Sequence, residues 1–90
     1  MTWLVYILEC GDKSLYTGIT KDMNHRLRRH KDGTGAKYTR GRGPFVVKYK
    51  QKVQNRSEAA KREAEIKRLN RAEKNDLINE FFSLNRPTNN

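Results

Sequence analysis

The stretch WLVYILECGDKSLYTGI, residues 3–19, contains the pattern that decides the fold. Residues 3–9 are almost all β-branched, aromatic or aliphatic, which is typical of a buried strand. Residues 11–14, GDKS, are turn formers, and residues 15–19, LYTGI, make a second short strand-like run. The stretch therefore predicts an antiparallel hairpin.

A short helix is predicted directly after the hairpin, over residues 22–30. Met23 and Leu27 lie four residues apart in DMNHRLRRH, which is the spacing of one helix face. Either Thr20 or Asp22 can serve as the N-cap, because both side chains carry an oxygen that can accept from the first turn.

One more strand and two more helices follow a glycine-rich loop. Residues 31–44 contain four of the six glycines and predict the loop, and residues 45–53, FVVKYKQKV, predict the strand. Asn70 and Glu73 have the spacing of a capping box for the last helix. Ser57 is placed to cap the helix before it, whose apolar stripe consists of Ala59, Ala60, Ile66 and Leu69.

The resulting order, β-β-α-β-α-α, predicts an α+β fold in which helices flank a three-stranded antiparallel sheet. Ninety residues are enough for one small domain with a thin core. We expect this single domain to cover residues 1–84 and residues 85–90 to form a disordered tail.

The charge of the chain is strongly basic and unevenly distributed. Lys and Arg number 20 against 10 acidic residues, which gives a net charge of +10. Residues 21–52 carry a net +9, whereas residues 1–20 and 53–90 carry −1 and +2. Such a concentration predicts a surface for phosphate groups and hence a nucleic-acid partner. General solubility charge is the alternative, although it would be spread along the chain.

Several classes of protein and site are excluded by composition. No apolar run approaches the length of a transmembrane helix, and the first residues lack a signal peptide, so no membrane partner is expected. Cys10 is the single cysteine and cannot form an internal disulfide, which favours a reduced, cytoplasmic protein. The loop KYTRGRGP lacks the Walker and dinucleotide patterns, so no nucleotide cofactor is expected.

Glu63 does not fit its predicted place in the structure. It falls in the centre of the apolar stripe of its helix, where a carboxylate is costly unless it is paired or holds a cation. One interpretation is an ion pair with one of the many arginines. The other is a ligand for Mg²⁺ or Mn²⁺, which accept one protein carboxylate completed by water and phosphate.

Two further pairs have both a structural and a functional interpretation. Arg26 and His30 border the buried face of the first helix, as a phosphate-binding pair or as part of a solvated basic helix. Tyr6 and Tyr16 are predicted to share one face of the hairpin, where they either pack together or supply functional phenols.

The glycine-rich loop is a candidate for contacts with a phosphate backbone. A plain solvated loop is the alternative. The predicted nucleic-acid-binding residues are Arg29, which points outward from the first helix, and the loop residues Lys37, Tyr38, Arg40 and Arg42.

Residues 3–82 resemble the GIY-YIG endonuclease superfamily. Val5-Tyr6-Ile7 and Tyr16-Thr17-Gly18 are similar to its two signature tripeptides, although the first lacks a glycine and the second has Thr in place of Ile. Arg26, His30 and Glu63 follow in the family's order. The loop GAKYTRGRGP and the short length are most similar to small stand-alone bacterial members, a largely uncharacterised group that is similar to the nuclease domain of junction and flap nucleases.

The resemblance implies a phosphodiesterase that depends on Mg²⁺ or Mn²⁺ and cuts DNA, with branched or flap structures among its substrates. Tyr16 would be the general base, assisted by Tyr6. Arg26 would stabilise the phosphoryl oxygens, His30 would act at the same centre, and Glu63 would hold the metal. The alternatives are a non-catalytic nucleic-acid-binding module of the same fold and a subunit that needs a protein partner for activity or specificity.

Overall fold

The computed structural model describes residues 2–85, which form three strands and three helices. The elements are β1 (Trp3–Glu9), β2 (Leu15–Thr20), α1 (Met23–Lys31), β3 (Val46–Val53), α2 (Arg56–Lys67) and α3 (Arg71–Asn85). Their order confirms the predicted succession. Residues 86–90 of the predicted disordered tail lie outside the described residues. Within residues 2–85, no helix has the length and apolar character needed to cross a membrane.

The sheet has the strand order β2-β1-β3, and both pairings are antiparallel. The central strand β1 is paired on both edges, and other side chains pack on both of its faces, so that the four side chains of residues 5–8 are completely buried. This explains why its sequence is a continuous apolar run and not an alternating one. Burying one large apolar side chain of this kind stabilises a fold by about 1.5–3 kcal/mol.

Helices cover the sheet on its two faces, which divides the interior into two clusters. On one face, Val5 and Ile7 pack with buried residues of α2 and partly buried residues of α3. On the other face, Tyr6 and Leu8 pack with Phe45 and with partly buried residues of α1. The tyrosine of the first signature tripeptide therefore points toward α1 and away from α2 and α3.

The helix starts show which of the predicted caps are used. Asp22, not Thr20, caps α1, because its carboxylate accepts a hydrogen bond from the backbone N–H of His25 at 3.1 Å. The prediction of Ser57 as the cap of α2 was wrong. Asn55 is the cap, and its side-chain oxygen accepts from the backbone N–H of Glu58 at 2.9 Å, so that Ser57 lies inside the helix.

The last two helices confirm one prediction and correct another. Asn70 and Glu73 form the predicted capping box, with two reciprocal hydrogen bonds of 2.9 Å. The predicted apolar stripe of α2 is narrower than expected, because Ala60 is exposed and Leu69 lies beyond the end of the helix. Of the four predicted members, Ala59 and Ile66 are the buried ones within α2.

Candidate active site

The Tyr6 hydroxyl is the meeting point of β1 and α1. The Nε atom of Arg26 donates to this hydroxyl at 3.2 Å, and Nε2 of His30 lies 2.8 Å from it. Arg26 and His30 are one helical turn apart on α1, so both side chains reach the same strand residue. The structure thus brings together three of the residues that the sequence singled out.

Hydrogen bonds on both sides of His30 define which ring nitrogen carries the proton. The Thr39 hydroxyl donates to the carbonyl of Ala36 at 3.1 Å, so it is free to accept from Nδ1–H of His30 at 2.8 Å. The Tyr6 oxygen accepts from Arg26, so its own proton is available to Nε2. Both relations require the Nδ1–H tautomer.

Burial keeps Tyr6 and His30 neutral near pH 7. It raises the pKa of Tyr6 to about 12, although the hydrogen bond from Arg26 and the charge of Arg26 oppose the shift. It also lowers the pKa of His30 to about 4, an effect that the charge of Arg26 reinforces. With 0% and 1% of their surfaces exposed, Tyr6 and His30 offer no open surface to a ligand.

Two glycines allow the close packing around these rings. Gly18 lies directly opposite Tyr6 in the β1–β2 pairing, and a Cβ atom there would lie 2.5 Å from the Tyr6 hydroxyl. A Cβ atom at Gly35 would lie 2.8 Å from Nδ1 of His30. The glycine of the second signature tripeptide is therefore needed for the space that it leaves to Tyr6.

Tyr16 belongs to the same cluster but is only half-buried. Its ring centroid lies 6.3 Å from that of Tyr6 and 5.3 Å from that of His30. The ring of Tyr38 stacks on it at 5.8 Å, with an interplanar angle of 26°. Tyr16 also lines an open cleft, so its side chain is accessible where that of Tyr6 is not.

Arg26 links the two tyrosines electrostatically. Burial acts to lower the pKa of its guanidinium group, but the hydrogen bond to Tyr6 and the interactions with Tyr16 raise that pKa overall. The group therefore stays charged next to both phenols. A permanent cation at this position can stabilise negative charge on a phenol oxygen or on a phosphoryl oxygen.

Glu63 lies on α2, which packs against β1 and β2. Its negative charge makes a small contribution to the raised pKa of Tyr6, which is caused mainly by burial. The Glu63 side chain is 23% exposed, and its carboxylate lies 3.4 Å from the ammonium group of Lys67. The ion pair expected from the first interpretation is thus present, but with a lysine where the sequence suggested an arginine.

The donor set around Glu63 fits a metal ion only with help from a substrate. Residues 2–85 contain no group of three His, Cys, Asp or Glu side chains that could enclose an ion. Mg²⁺, however, is commonly held by one or two carboxylates together with water and substrate phosphates. A single half-buried carboxylate such as that of Glu63 is compatible with that kind of site.

The loop between α1 and β3 is more firmly held than its glycines suggested. Arg42 is 2.5 Å from the carboxylate of Asp12, donates to the carbonyl of Tyr38 at 2.7 Å, and lies 4.7 Å above the Tyr38 ring. Hydrogen bonds from Ser14, together with Arg42, lower the pKa of Asp12 to about 2. Arg42 therefore ties the loop to the β1–β2 turn.

The other predicted DNA-contacting residues are placed differently from Arg42. Lys37 and Arg40 are exposed in the loop. Arg29 is also exposed, and its guanidinium group donates to the carbonyl of Thr34 at 3.0 Å. Tyr38 is 45% exposed, although Tyr16 and Arg42 contact its ring.

Comparison with known proteins identifies the family of the chain. The model of the GIY-YIG catalytic domain matches residues 2–76. The chain belongs to the GIY-YIG family. A UPF0213 protein of Oceanobacillus iheyensis is 60% identical over 74 residues, which cover 82% of this chain and 86% of the relative. A UPF0213 protein of Haloquadratum walsbyi is 48% identical over 83 residues, which cover 92% of this chain and 93% of the relative.

Two solved structures are similar to this GIY-YIG chain. The solution structure of a UPF0213 protein from Bacillus halodurans has a TM-score of 0.57 at 46% sequence identity. The matched region covers 94% of this chain and 86% of the chain in that structure. The solution structure of a protein from E. faecalis has a TM-score of 0.64 at 37% sequence identity. The matched region covers 100% of this chain and 95% of the chain in that structure. GIY-YIG domains are nuclease domains, which implies DNA binding, and they typically depend on divalent metal ions.

Sequence reasoning missed two residues of the candidate site. Thr39 is 1% exposed and fixes the tautomer of His30, yet it lies in a loop where neither periodicity nor spacing marks it. Lys67 pairs with Glu63 and lines the cleft beside Tyr16. Its position four residues after Glu63 is a signal that could have identified it, because such i,i+4 pairs commonly interact on a helix.

Proposed function

We propose that this GIY-YIG chain is a divalent-metal-dependent endonuclease that hydrolyses phosphodiester bonds in DNA, at branched or flap structures. The observation that supports the proposal best is the pairing of one accessible phenol with one buried phenol. Tyr16 opens onto a cleft, while Tyr6, Arg26 and His30 form a hydrogen-bonded support beneath it.

In this proposal Tyr16 is the general base that takes a proton from the attacking water. Its accessible side chain can meet a water molecule at the substrate phosphate, and Arg26 stabilises negative charge on its oxygen. An arginine has five N–H donors, and Tyr6 takes only the one on Nε. Arg26 therefore retains donors for the phosphoryl oxygens, where negative charge increases during the reaction.

Tyr6 and His30 have supporting roles in the proposal. Tyr6 keeps its proton, because its pKa is about 12, and uses it in the hydrogen bond to His30. His30 stays neutral and accepts that bond, so Tyr6 can in turn accept from Arg26. Through this chain of bonds, the two buried residues hold the guanidinium group against the tyrosines.

Glu63 is the proposed metal ligand. A divalent ion held there supplies charge neutralisation at the phosphoryl oxygens. In the structure, Lys67 forms an ion pair with the Glu63 carboxylate. This pair is the observation that favours the second candidate function, a nucleic-acid-binding module without catalysis. In such a module the Glu63 charge would be neutralised by Lys67 and would not require a metal ion.

A cleavage assay with a panel of labelled DNAs tests the proposed function. The panel contains single-stranded, duplex, flap and four-way-junction DNA, each incubated with Mg²⁺ or Mn²⁺. Glu63→Gln, prepared in parallel, controls for contaminating nuclease. We expect wild type to cut at least one substrate and Glu63→Gln to bind that substrate without cutting it. Equal binding by both proteins with no cleavage by either would favour the binding module or a missing protein partner.

A further inference from the structure

A cleft of about 420 Å³ opens beside Tyr16. Its walls come from four parts of the fold, namely β2, the loop before β3, the last residue of α2 and the first turn of α3. The lining residues are Leu15, Tyr16, Thr17, Tyr38, Lys67 and Lys74. The volume is within the range of small-ligand sites, and no acidic side chain is among these residues.

Lys74 gives the cleft an uncompensated positive charge. Its side chain is half-buried, and within residues 2–85 no carboxylate forms an ion pair with it. Lys67 adds a second ammonium group, whose partner Glu63 lies 3.4 Å away. A partly desolvated cation is stabilised when an anion approaches it, so the cleft is suited to a negatively charged ligand.

The aromatic side chains of the cleft favour phosphate over a nucleobase. One side of the Tyr38 ring stacks on Tyr16, and the guanidinium group of Arg42 lies 4.7 Å from the ring. A base that stacked on Tyr38 would have to displace one of these groups. The phosphate of a nucleotide needs only the two lysines.

We propose that this cleft binds the phosphodiester next to the scissile one, through Lys67 and Lys74. Tyr16 contributes to the same cleft. A strand with its scissile phosphate at Tyr16 would therefore bring a neighbouring phosphate toward the two lysines. The proposal rests on the proposed nuclease function for the strand that it orients. It also adds a contact from the α2–α3 region to the basic surface of residues 21–52.

Binding without added metal tests this contact separately from cleavage. A labelled flap DNA, whose junction fixes the register, carries one uncharged methylphosphonate at each linkage in turn, and Kd is measured by fluorescence anisotropy. We expect Lys74→Gln to weaken binding of unmodified DNA about three- to tenfold. It should also lower the slope of log Kd against log salt by about one. Lys61→Gln, which removes an exposed lysine of α2, should change neither as much.

One methylphosphonate position decides the proposal. At that linkage, neutralisation should weaken binding by wild type and not by Lys74→Gln, because both changes remove the same contact. Lys74→Arg, which keeps the charge, should restore the wild-type pattern. If every methylphosphonate weakens both proteins equally, or Lys74→Gln behaves as Lys61→Gln, the proposal is wrong. A non-additive position without cleavage of any panel substrate by wild type would support the DNA contact and contradict only the nuclease function.

Discussion

At the scale of single residues, burial gives the two tyrosines different chemistry. Tyr6 is 0% exposed with a pKa of about 12, so only about one molecule in 10⁵ carries its phenolate at pH 7. Tyr16 stands next to it, contacts the same Arg26, and opens onto the cleft. A proton acceptor for water must be reachable by water, and among these two phenols Tyr16 meets that condition.

His30 should make the stability of the protein depend on pH. Its pKa of about 4 in the folded protein lies below the ordinary value of 6.5, so the unfolded chain binds more protons between these values. The contribution of His30 to stability is therefore complete above pH 6.5 and is lost as the pH falls toward 4. Urea unfolding of wild type and His30→Gln across this range is the measurement, and the variant should show the weaker pH dependence.

The exposed histidine of the same helix provides the control for this prediction. His25 is exposed, and its side chain belongs to neither apolar cluster, so His25→Gln should keep the pH dependence of wild type. A His30→Gln variant whose stability falls as steeply as that of wild type between pH 6.5 and 4 would show that His30 is not the group responsible.

Single residues also show how far sequence could lead. Five residues were identifiable as candidates because each is a polar group at a position where strand or helix spacing predicts an apolar neighbourhood. They are Tyr6, Tyr16, Arg26, His30 and Glu63. Thr39 was not, because its role depends on the path of a loop that brings its hydroxyl to Nδ1 of His30. Spacing along the chain carries no information about such a contact.

At the scale of elements, the loop between α1 and β3 combines two kinds of arginine. The guanidinium group of Arg42 is paired with the carboxylate of Asp12 and contacts the carbonyl and the ring of Tyr38. These contacts join the loop to the β1–β2 turn. Arg40 is exposed, and within the described part of the chain it forms no ion pair. The two residues are two positions apart in sequence and have different tasks in the structure.

This difference should appear in the salt dependence of DNA binding. We expect Arg40→Gln to weaken binding and to lower the slope of log Kd against log salt by about one, since one phosphate contact is lost. Arg42→Gln should change the slope less, because its charge is already neutralised by Asp12, and should lower the stability of the fold. Anisotropy titrations at several salt concentrations, with urea unfolding of each variant, would contradict this if Arg42→Gln had the larger effect on slope.

Elements were predictable from sequence where their pattern is periodic. The strands and the capping box of α3 were found because apolar runs and the Asn70–Glu73 spacing are local signals. The predicted start of α2 was wrong because Asn55 and Ser57 are both good N-cap residues. Which of them caps the helix depends on where β3 ends. The narrow stripe of α2 has a similar cause, since Ala60 fits an apolar pattern without being buried.

At the scale of the whole molecule, the two faces of the sheet bury different side chains. One face packs on α2 and α3 through the larger apolar cluster, which includes Val5, Ile7 and Ile66. The other face carries Tyr6 and Tyr16 toward α1 and the loop. Most of the net charge of +10 belongs to residues 21–52, and this charge favours association with a polyanion such as DNA.

The most direct test of the central claim is single-turnover cleavage of the preferred panel substrate by Tyr16→Phe. The variant keeps the ring that packs against Tyr38 and His30 and removes only the hydroxyl. Tyr49→Phe, which removes a hydroxyl on the opposite face of the sheet, is the matched control. We predict that Tyr16→Phe folds and binds DNA as wild type does but cuts about 10²–10⁴ times more slowly, whereas cleavage within a few fold of wild type would contradict the assignment of Tyr16 as the general base.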